Sequence, residues 1–319
     1  MLSRTADNLF WMARHIERAE NTARVLDVAH RTSLLPLDIE GSDAYLWFAL
    51  LNITGCAHSY EAKHGLAKAD SVTRYMALSP DNPASIYNCL WLARENARSV
   101  RGAITSEMWE VINDTWLELN NLSGQMDYEK LQDFFDWVKN RSHLFRGVTL
   151  GTIRKDIALS FIKLGTFLER ADNTARILDV KYHILLPSVN DVGGAADYYQ
   201  WGSLLKSVSA FEAYRKVYRD VISPLRVSEL LILREDMPRS LHACLNEVEA
   251  ALIEINGSSG HEARRMAGEQ HAALHFGRID DVFAQGLHEY ITDFLQNTAL
   301  LSREIRDAYL SRRDTILVR

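Results

Sequence analysis

Thirteen residues of this chain are written twice. Ile16-Glu17-Arg18-Ala19-Glu20-Asn21-Thr22-Ala23-Arg24-Val25-Leu26-Asp27-Val28 returns as Leu168-Glu169-Arg170-Ala171-Asp172-Asn173-Thr174-Ala175-Arg176-Ile177-Leu178-Asp179-Val180, with ten identities and three conservative changes at an offset of 152. Fainter echoes follow in the same order. Leu34-Leu35-Pro36 recurs as Leu185-Leu186-Pro187, and Asp43, Trp47, Leu50 and Leu51 as Asp197, Trp201, Leu204 and Leu205. Asp81, Pro83, Ser85 and Cys89 recur as Asp236, Pro238, Ser240 and Cys244. The offset drifts from 151 to 155, as small loop insertions would make it. This pattern reads as an internal duplication. It sets the expected organisation: two related halves, 1–151 and 152–319, packed as one pseudo-symmetric helical body.

The repeated segment has a helical register. Leu9, Met12, Ile16, Ala19, Ala23, Leu26 and His30 step by three and four residues, as do Phe161, Leu164, Leu168, Ala171, Ala175, Leu178 and Tyr182. The alanines in mid-seam would admit a close helix partner, and the simplest one is the other copy, crossing antiparallel about a pseudo-two-fold axis. Similar periodicity predicts helices over 43–65, 84–103, 107–120, 128–146, 195–218, 238–255, 262–276 and 279–308. Pro83 and Pro238 suit helix starts, Ser106 a helix cap, and Gly65, Gly124, Gly257 and Gly277 helix stops. The segments 34–42, 79–83, 187–194 and 256–260 are the poorest candidates for regular structure. No stretch alternates with period two, and only 6 of 319 residues are proline, so the expected class is all-α.

Composition narrows the function classes. The net charge of −6 gives no electrostatic case for nucleic acid. The longest apolar run, Ala44 to Leu51, is far short of the ~20 residues of a membrane helix. The N-terminus enters an amphipathic pattern without a secretory core segment. Three scattered cysteines, Cys56, Cys89 and Cys244, form neither a disulfide framework nor a zinc spacing, so a cytoplasmic location is expected. Neither a Walker A sequence nor a dinucleotide glycine loop is present, and no cofactor is expected. His271 and His275 have i,i+4 spacing but enclose Ala-Ala-Leu, without an HExxH glutamate, and read as core or surface histidines. His58, Glu61 and His64 share no helical face, and Gly257-Ser258-Ser259-Gly260 is not a nucleophile elbow. No metal site is therefore expected.

Chemistry is best sought beside the apolar seam. Glu17, Glu20, Asn21, Arg24 and Asp27 form a polar stripe, repeated as Glu169, Asp172, Asn173, Arg176 and Asp179. Its polar positions survive duplication as well as the apolar ones, so the stripe is constrained. One reading is a reciprocal buried network, Glu17 meeting Arg176 and Arg24 meeting Glu169, because breaking a buried pair costs ~3–5 kcal/mol against ~0–1 for an exposed one. The other is a carboxylate-guanidinium site, with Glu as general base and Arg as anion clamp. A second cluster lies in the first half only: Arg94, Arg98 and Arg101 at i, i+4, i+7, followed by Ser106-Glu107-Met108-Trp109-Glu110. It reads either as a cationic ridge for an anion or acidic partner, or as a solvated helix face. At the offset of 155 its arginines face Glu249, Ile253 and Asn256.

The opening run from Met1 through Arg24, the Arg-Glu-Asn-Ala-Arg run at 94–98, the Ser-Glu-Met-Trp-Glu run at 106–110 and the second Glu-Arg-Ala-Asp copy resemble the bacterial alpha-E family. The resemblance spans essentially the whole chain, with His15 standing where a tyrosine is more usual. It implies a helical protein associated with circularly permuted ATP-grasp ligases and transglutaminase-like proteins. It also places Glu17, Arg18, Glu169 and Arg170 on the family's Glu-Arg motif, as candidate catalytic residues. Asn21, Arg24, Asn173, Arg176, Arg94, Arg98, Arg101, Glu107 and Trp109 are the candidate binding residues. The leading expectation is a helper or subunit of an ATP-grasp amide-ligase or peptide-modification system, binding an acceptor peptide or completing the partner's active site. Neither nucleic acid nor membrane is an expected partner. Two alternatives stand: a free-standing amidase or peptidase using Glu17 or Glu169, and a helical scaffold, open to homo-oligomer formation, without chemistry.

Overall fold

The computed structural model describes residues 1–33, 42–123, 130–183, 195–255 and 260–310, and the described residues form fifteen α-helices and no strand. The chain is all-α. None of these helices is long and apolar enough to cross a membrane.

The repeated segments lie in the two longest helices, α1 (Ser3–Ser33) and α8 (Ile157–His183). No glycine or proline interrupts α1, and its seam residues from Leu9 to Leu26 are buried, as are Phe161 to Leu178 on α8. Helices α5 (Ile86–Ser99), α6 (Ser106–Ser123) and α7 (Leu131–Thr152) pack in succession, with α5 and α7 against α1. In the same manner α12 (Leu241–Ile255), α13 (His261–His275) and α15 (Leu287–Ile305) pack in succession, with α12 and α15 against α8. One continuous apolar cluster joins the side chains of both sets.

Between these long elements lie shorter ones: α2 (Ser42–Ile53), α3 (Ala57–His64), α4 (Ala69–Ala77), α9 (Ala195–Ser207), α10 (Phe211–Tyr218), α11 (Pro224–Ile232) and α14 (Ile279–Gln285). Three helices expected to be continuous are broken. The stretches 43–65 and 195–218 split at Gly55 (φ 69°) and Ser209 (φ 54°), and 279–308 splits at Gly286 (φ 103°). Each of these residues is left-handed, a conformation that cannot continue a right-handed helix. Helices α4 and α11 were not anticipated. The cap of α6 is Thr105, whose Oγ1 accepts from the Met108 amide at 3.2 Å, one residue before the Ser106 expected to do so. Ser85 and Ser240 cap α5 and α12 in the same way, so Pro83 and Pro238 precede the helices they were expected to open. Gly65 ends α3 and Gly277 follows α13 as expected. The expected stops Gly124 and Gly257 and the segments 34–41 and 187–194 lie outside the described residues.

Ala19 borders Leu90 and Ala93 of α5 and Phe145 of α7. The two long helices come close at Gly165, where an added Cβ would lie 2.2 Å from the Phe10 carbonyl oxygen and 3.2 Å from the Ala13 Cβ. From there the contacts rise in number along both helices, from Phe10–Gly165 to Arg14–Glu169 and Glu17–Arg170. The helices therefore cross in the same general sense, not antiparallel.

This crossing yields a paired test. Gly165→Ala should destabilise the protein by about 1–3 kcal/mol, because the obstacle is backbone and cannot rotate away. Gly147→Ala, at an open and exposed position of α7, should instead stabilise by about 0.5–1 kcal/mol. Thermal or urea denaturation of the two variants reads the difference directly.

Candidate functional site

Both Glu-Arg dipeptides are built into the α1–α8 crossing. Arg170 donates to Glu17 through Nε and Nη2, each at 2.9 Å, and Arg18 donates to Glu169 through Nε at 2.5 Å and Nη2 at 2.9 Å. Each dipeptide thus gives its carboxylate to the other helix and receives that helix's guanidinium in a two-point fork, the strongest form of such a pair. The reciprocity matches expectation but the partners do not. Arg24 turns back to Glu20 and Arg176 to Asp172, each one turn away on its own helix. The Glu17–Arg176 and Glu169–Arg24 pairs expected of an antiparallel crossing are absent because that crossing is absent.

The two ends of the exchange differ. Glu169 has a second donor, Arg14, at 2.8 Å. Burial pushes its carboxyl up, and Arg18 and Arg14 outweigh burial and hold it at about 2. Glu17 is further held by Arg239 at 3.1 Å and Arg146 at 3.0 Å. Next to it Glu20, fully buried, is bound by Arg24, Arg146, Arg239 and the Ser142 hydroxyl. Burial raises both carboxyls, but the surrounding guanidiniums win and both stay below the ordinary carboxylate range. Arg239 also donates to Asn21 Oδ1 at 3.0 Å. The first stripe is buried throughout, whereas Asp172, Asn173, Arg176 and Asp179 are half-buried.

Arg146 and Arg239 carried no signal in the repeated motif. Arg239 lies in the turn before α12, and at the offset of 155 its counterpart is Ala84. The network thus holds four guanidiniums (Arg24, Arg146, Arg170 and Arg239) against two carboxylates (Glu17 and Glu20), a surplus of two positive charges. Arg239 is buried, and desolvation pulls it below the usual guanidinium range despite both glutamates.

All four arginines line a cleft of about 650 Å³ between α1, α7, α8, the α9–α10 turn and the approach to α12. Lys139, His143, Asn140 and Ser209 complete its polar wall, and among the described residues Asp136 is the one carboxylate on that wall. Lys139 is paired with Asp27 and Asp136, and Arg31 also binds Asp27, so this outer group is neutral. Ser209 is left-handed, and its hydroxyl accepts from Arg24 Nη1 at 2.6 Å. Burial pushes the His143 imidazole below its ordinary value, so it adds no charge near neutral pH.

The second predicted cluster lies apart from this cleft. Helix α5 ends at Ser99, so Arg101 falls beyond it and the expected continuous ridge is broken. Arg94 and Arg101 still converge on the Trp109 ring, at 5.8 and 4.8 Å from its centre. Arg94 is also bound to Asn113 and Glu95, Arg98 bonds Glu95 while largely exposed, and Glu107 is exposed. The thiols of Cys89 and Cys244 are pushed up to about 12 by burial and are inert as nucleophiles.

A family model described as a predicted alpha-helical domain with a conserved ER motif matches residues 1–310. The chain belongs to the Alpha-E family. This Alpha-E chain holds two Glu-Arg dipeptides, the ones that exchange charges across α1 and α8. Two uncharacterized proteins, from Mycobacterium bovis and Mycobacterium tuberculosis, are each 26% identical to it over 332 aligned residues. The match covers 95% of this Alpha-E chain and 36% of each relative, so the chain spans about a third of their length. No solved structure matches.

The exchange predicts how stability depends on acid. A carboxylate held below its unfolded value stabilises the fold above that value and ceases to do so as pH falls through the folded one. For Glu169 the window runs from its ordinary 4.5 down to about 2, and Glu17 and Glu20 act in the same direction. Glu17→Gln and Glu169→Gln should each cost about 3–5 kcal/mol at neutral pH, and Glu169→Gln should flatten the loss of melting temperature across that window. Calorimetry from pH 7 to pH 2 measures both.

Proposed function

We propose that this chain is the substrate-binding helical component of an ATP-dependent amide-ligase or peptide-modification system, and that its cleft seats a carboxylate of the acceptor. The surplus of two positive charges over the carboxylates Glu17 and Glu20 carries the reading, because guanidiniums enclosed without full compensation favour an anion in their midst. Arg24, Arg146, Arg170 and Arg239 are pre-positioned by those carboxylates, so binding costs little side-chain entropy. The cleft volume admits a peptide terminus or an acidic side chain with its neighbours.

The catalytic setting rests on the family resemblance to proteins that accompany ATP-grasp ligases, with a partner supplying ATP chemistry. The long mycobacterial relatives support it, since there the matching segment shares one chain with about twice its own length of other protein. A free-standing hydrolase using Glu17 or Glu169 fits the geometry less well. Both are held ionised by two or three guanidiniums, which suits a fixed counter-charge better than a group that must accept a proton. Glu17, Arg18, Glu169 and Arg170 accordingly act as positioning residues for the cleft. The duplication belongs to the same proposal: the halves 1–151 and 152–319 form one body, α1, α5 and α7 answering α8, α12 and α15, and Arg239, which only the second half carries, distinguishes the 650 Å³ cleft from the smaller pocket of about 280 Å³ that Arg14, Asp172 and Arg303 line.

Isothermal titration with short peptides ending in a free carboxylate, against their amidated forms, tests binding. Binding should require the carboxylate, and Asn140→Glu, on the exposed wall, should weaken it about tenfold with the melting temperature unchanged. Equal binding of amidated peptide, or no effect of Asn140→Glu, overturns the assignment of the cleft. Full ligation by an ATP-grasp partner without this chain overturns the setting.

A further inference from the structure

Three histidines from two helices face one another away from the cleft. His242 stands on α12, and His271 and His275 lie one turn apart on α13. One ring nitrogen of each lies within 4.8 Å of the others, and the ring centres are 5.2, 5.4 and 5.9 Å apart. We propose that His242, His271 and His275 form a binding site for a zinc-class divalent metal ion, with a fourth position open to water or an anionic ligand.

The hydrogen bonds around the cluster set the tautomers that ligation needs. His242 Nδ1 lies 2.8 Å from the Leu233 carbonyl oxygen, which can only accept, so Nδ1 carries the proton and Nε2 keeps its lone pair. That Nε2 is buried and has no hydrogen-bond partner, in a side chain only 4% exposed. A metal ion is the partner that would use it. His271 repeats the arrangement with a carboxylate: its Nδ1 lies 2.5 Å from Glu249 Oε2, leaving Nε2 free. A carbonyl or carboxylate behind each imidazole is how metal-bound histidines are oriented and made more basic. His275, on the exposed side of the group, closes the triangle by the i,i+4 geometry that puts two imidazoles on one helix face.

The dimensions fit a small rotation of the rings. Four-coordinate zinc with nitrogen at ~2.0–2.1 Å places its ligand atoms about 3.3–3.4 Å apart, and the exposed His275 has room to turn. Three imidazoles favour zinc, copper, nickel or cobalt over the oxygen-seeking magnesium and calcium. The site would join α12 to α13 and, through Leu233, to the end of α11. Its buried ligand follows Arg239 of the cleft by three residues.

The test uses the untagged 319-residue chain stripped with chelator and titrated with Zn²⁺ and, separately, Co²⁺. One ion per chain is expected, with the visible absorption of four-coordinate Co²⁺ and a higher melting temperature at saturating Zn²⁺. His275→Asn, on the surface and therefore safe for folding, should abolish the one-to-one binding and the Co²⁺ band. Glu249→Gln should weaken Zn²⁺ about 10–100-fold while keeping the stoichiometry. Binding below one ion per chain in the wild type, or equal binding by wild type and His275→Asn, overturns the proposal.

Discussion

The exchange of charge between Glu17–Arg170 and Glu169–Arg18 governs the rest of this molecule. Burying a carboxylate without a partner costs several kcal/mol, so neither helix can hold its own Glu-Arg dipeptide in the core until the other is in place. The long helices α1 and α8 are therefore committed to one another and to one rotational setting. Helices α2, α4, α5, α7, α9, α12 and α15 pack directly on a frame whose register that exchange and the glycine contact at Gly165 have already fixed.

On this frame the two ends have different fates. Glu169 meets Arg14 and Arg18 and stops there. Around Glu17 the network continues to Glu20, Arg146, Arg239 and Arg24, and opens on a cleft. The difference traces to residues outside the repeat, above all Arg239, which stands where the first half has Ala84. One arginine in a turn thus helps make the Glu17 side of the crossing a cationic wall.

Much of this was legible in the chain. The three-and-four spacing of Leu9, Met12, Ile16 and Ala19 marked the buried face, and the survival of Glu17 and Arg18 in a second copy marked a constraint on polar groups. The pairing was not legible, because choosing Arg170 over Arg176 requires the sense in which the helices cross, which no local pattern encodes. Breaks at Gly55 and Gly286 had glycine as a clue, but Ser209 had none, since a left-handed serine is sustained by tertiary contact with Arg24. His271 and His275 were visible as a pair. Their third member, on another helix, was hidden by sequence distance.

Gly165 also limits how this architecture can vary. A helix pair with a close contact that admits no side chain cannot slide by a residue without a clash. Diversification of the cleft must therefore come from its periphery, from α7, the turn at Ser209 and the approach to α12, which deliver Arg146, the serine hydroxyl and Arg239. On the proposed function the two long helices serve as a fixed chassis, and ligand preference would lie with the elements around them.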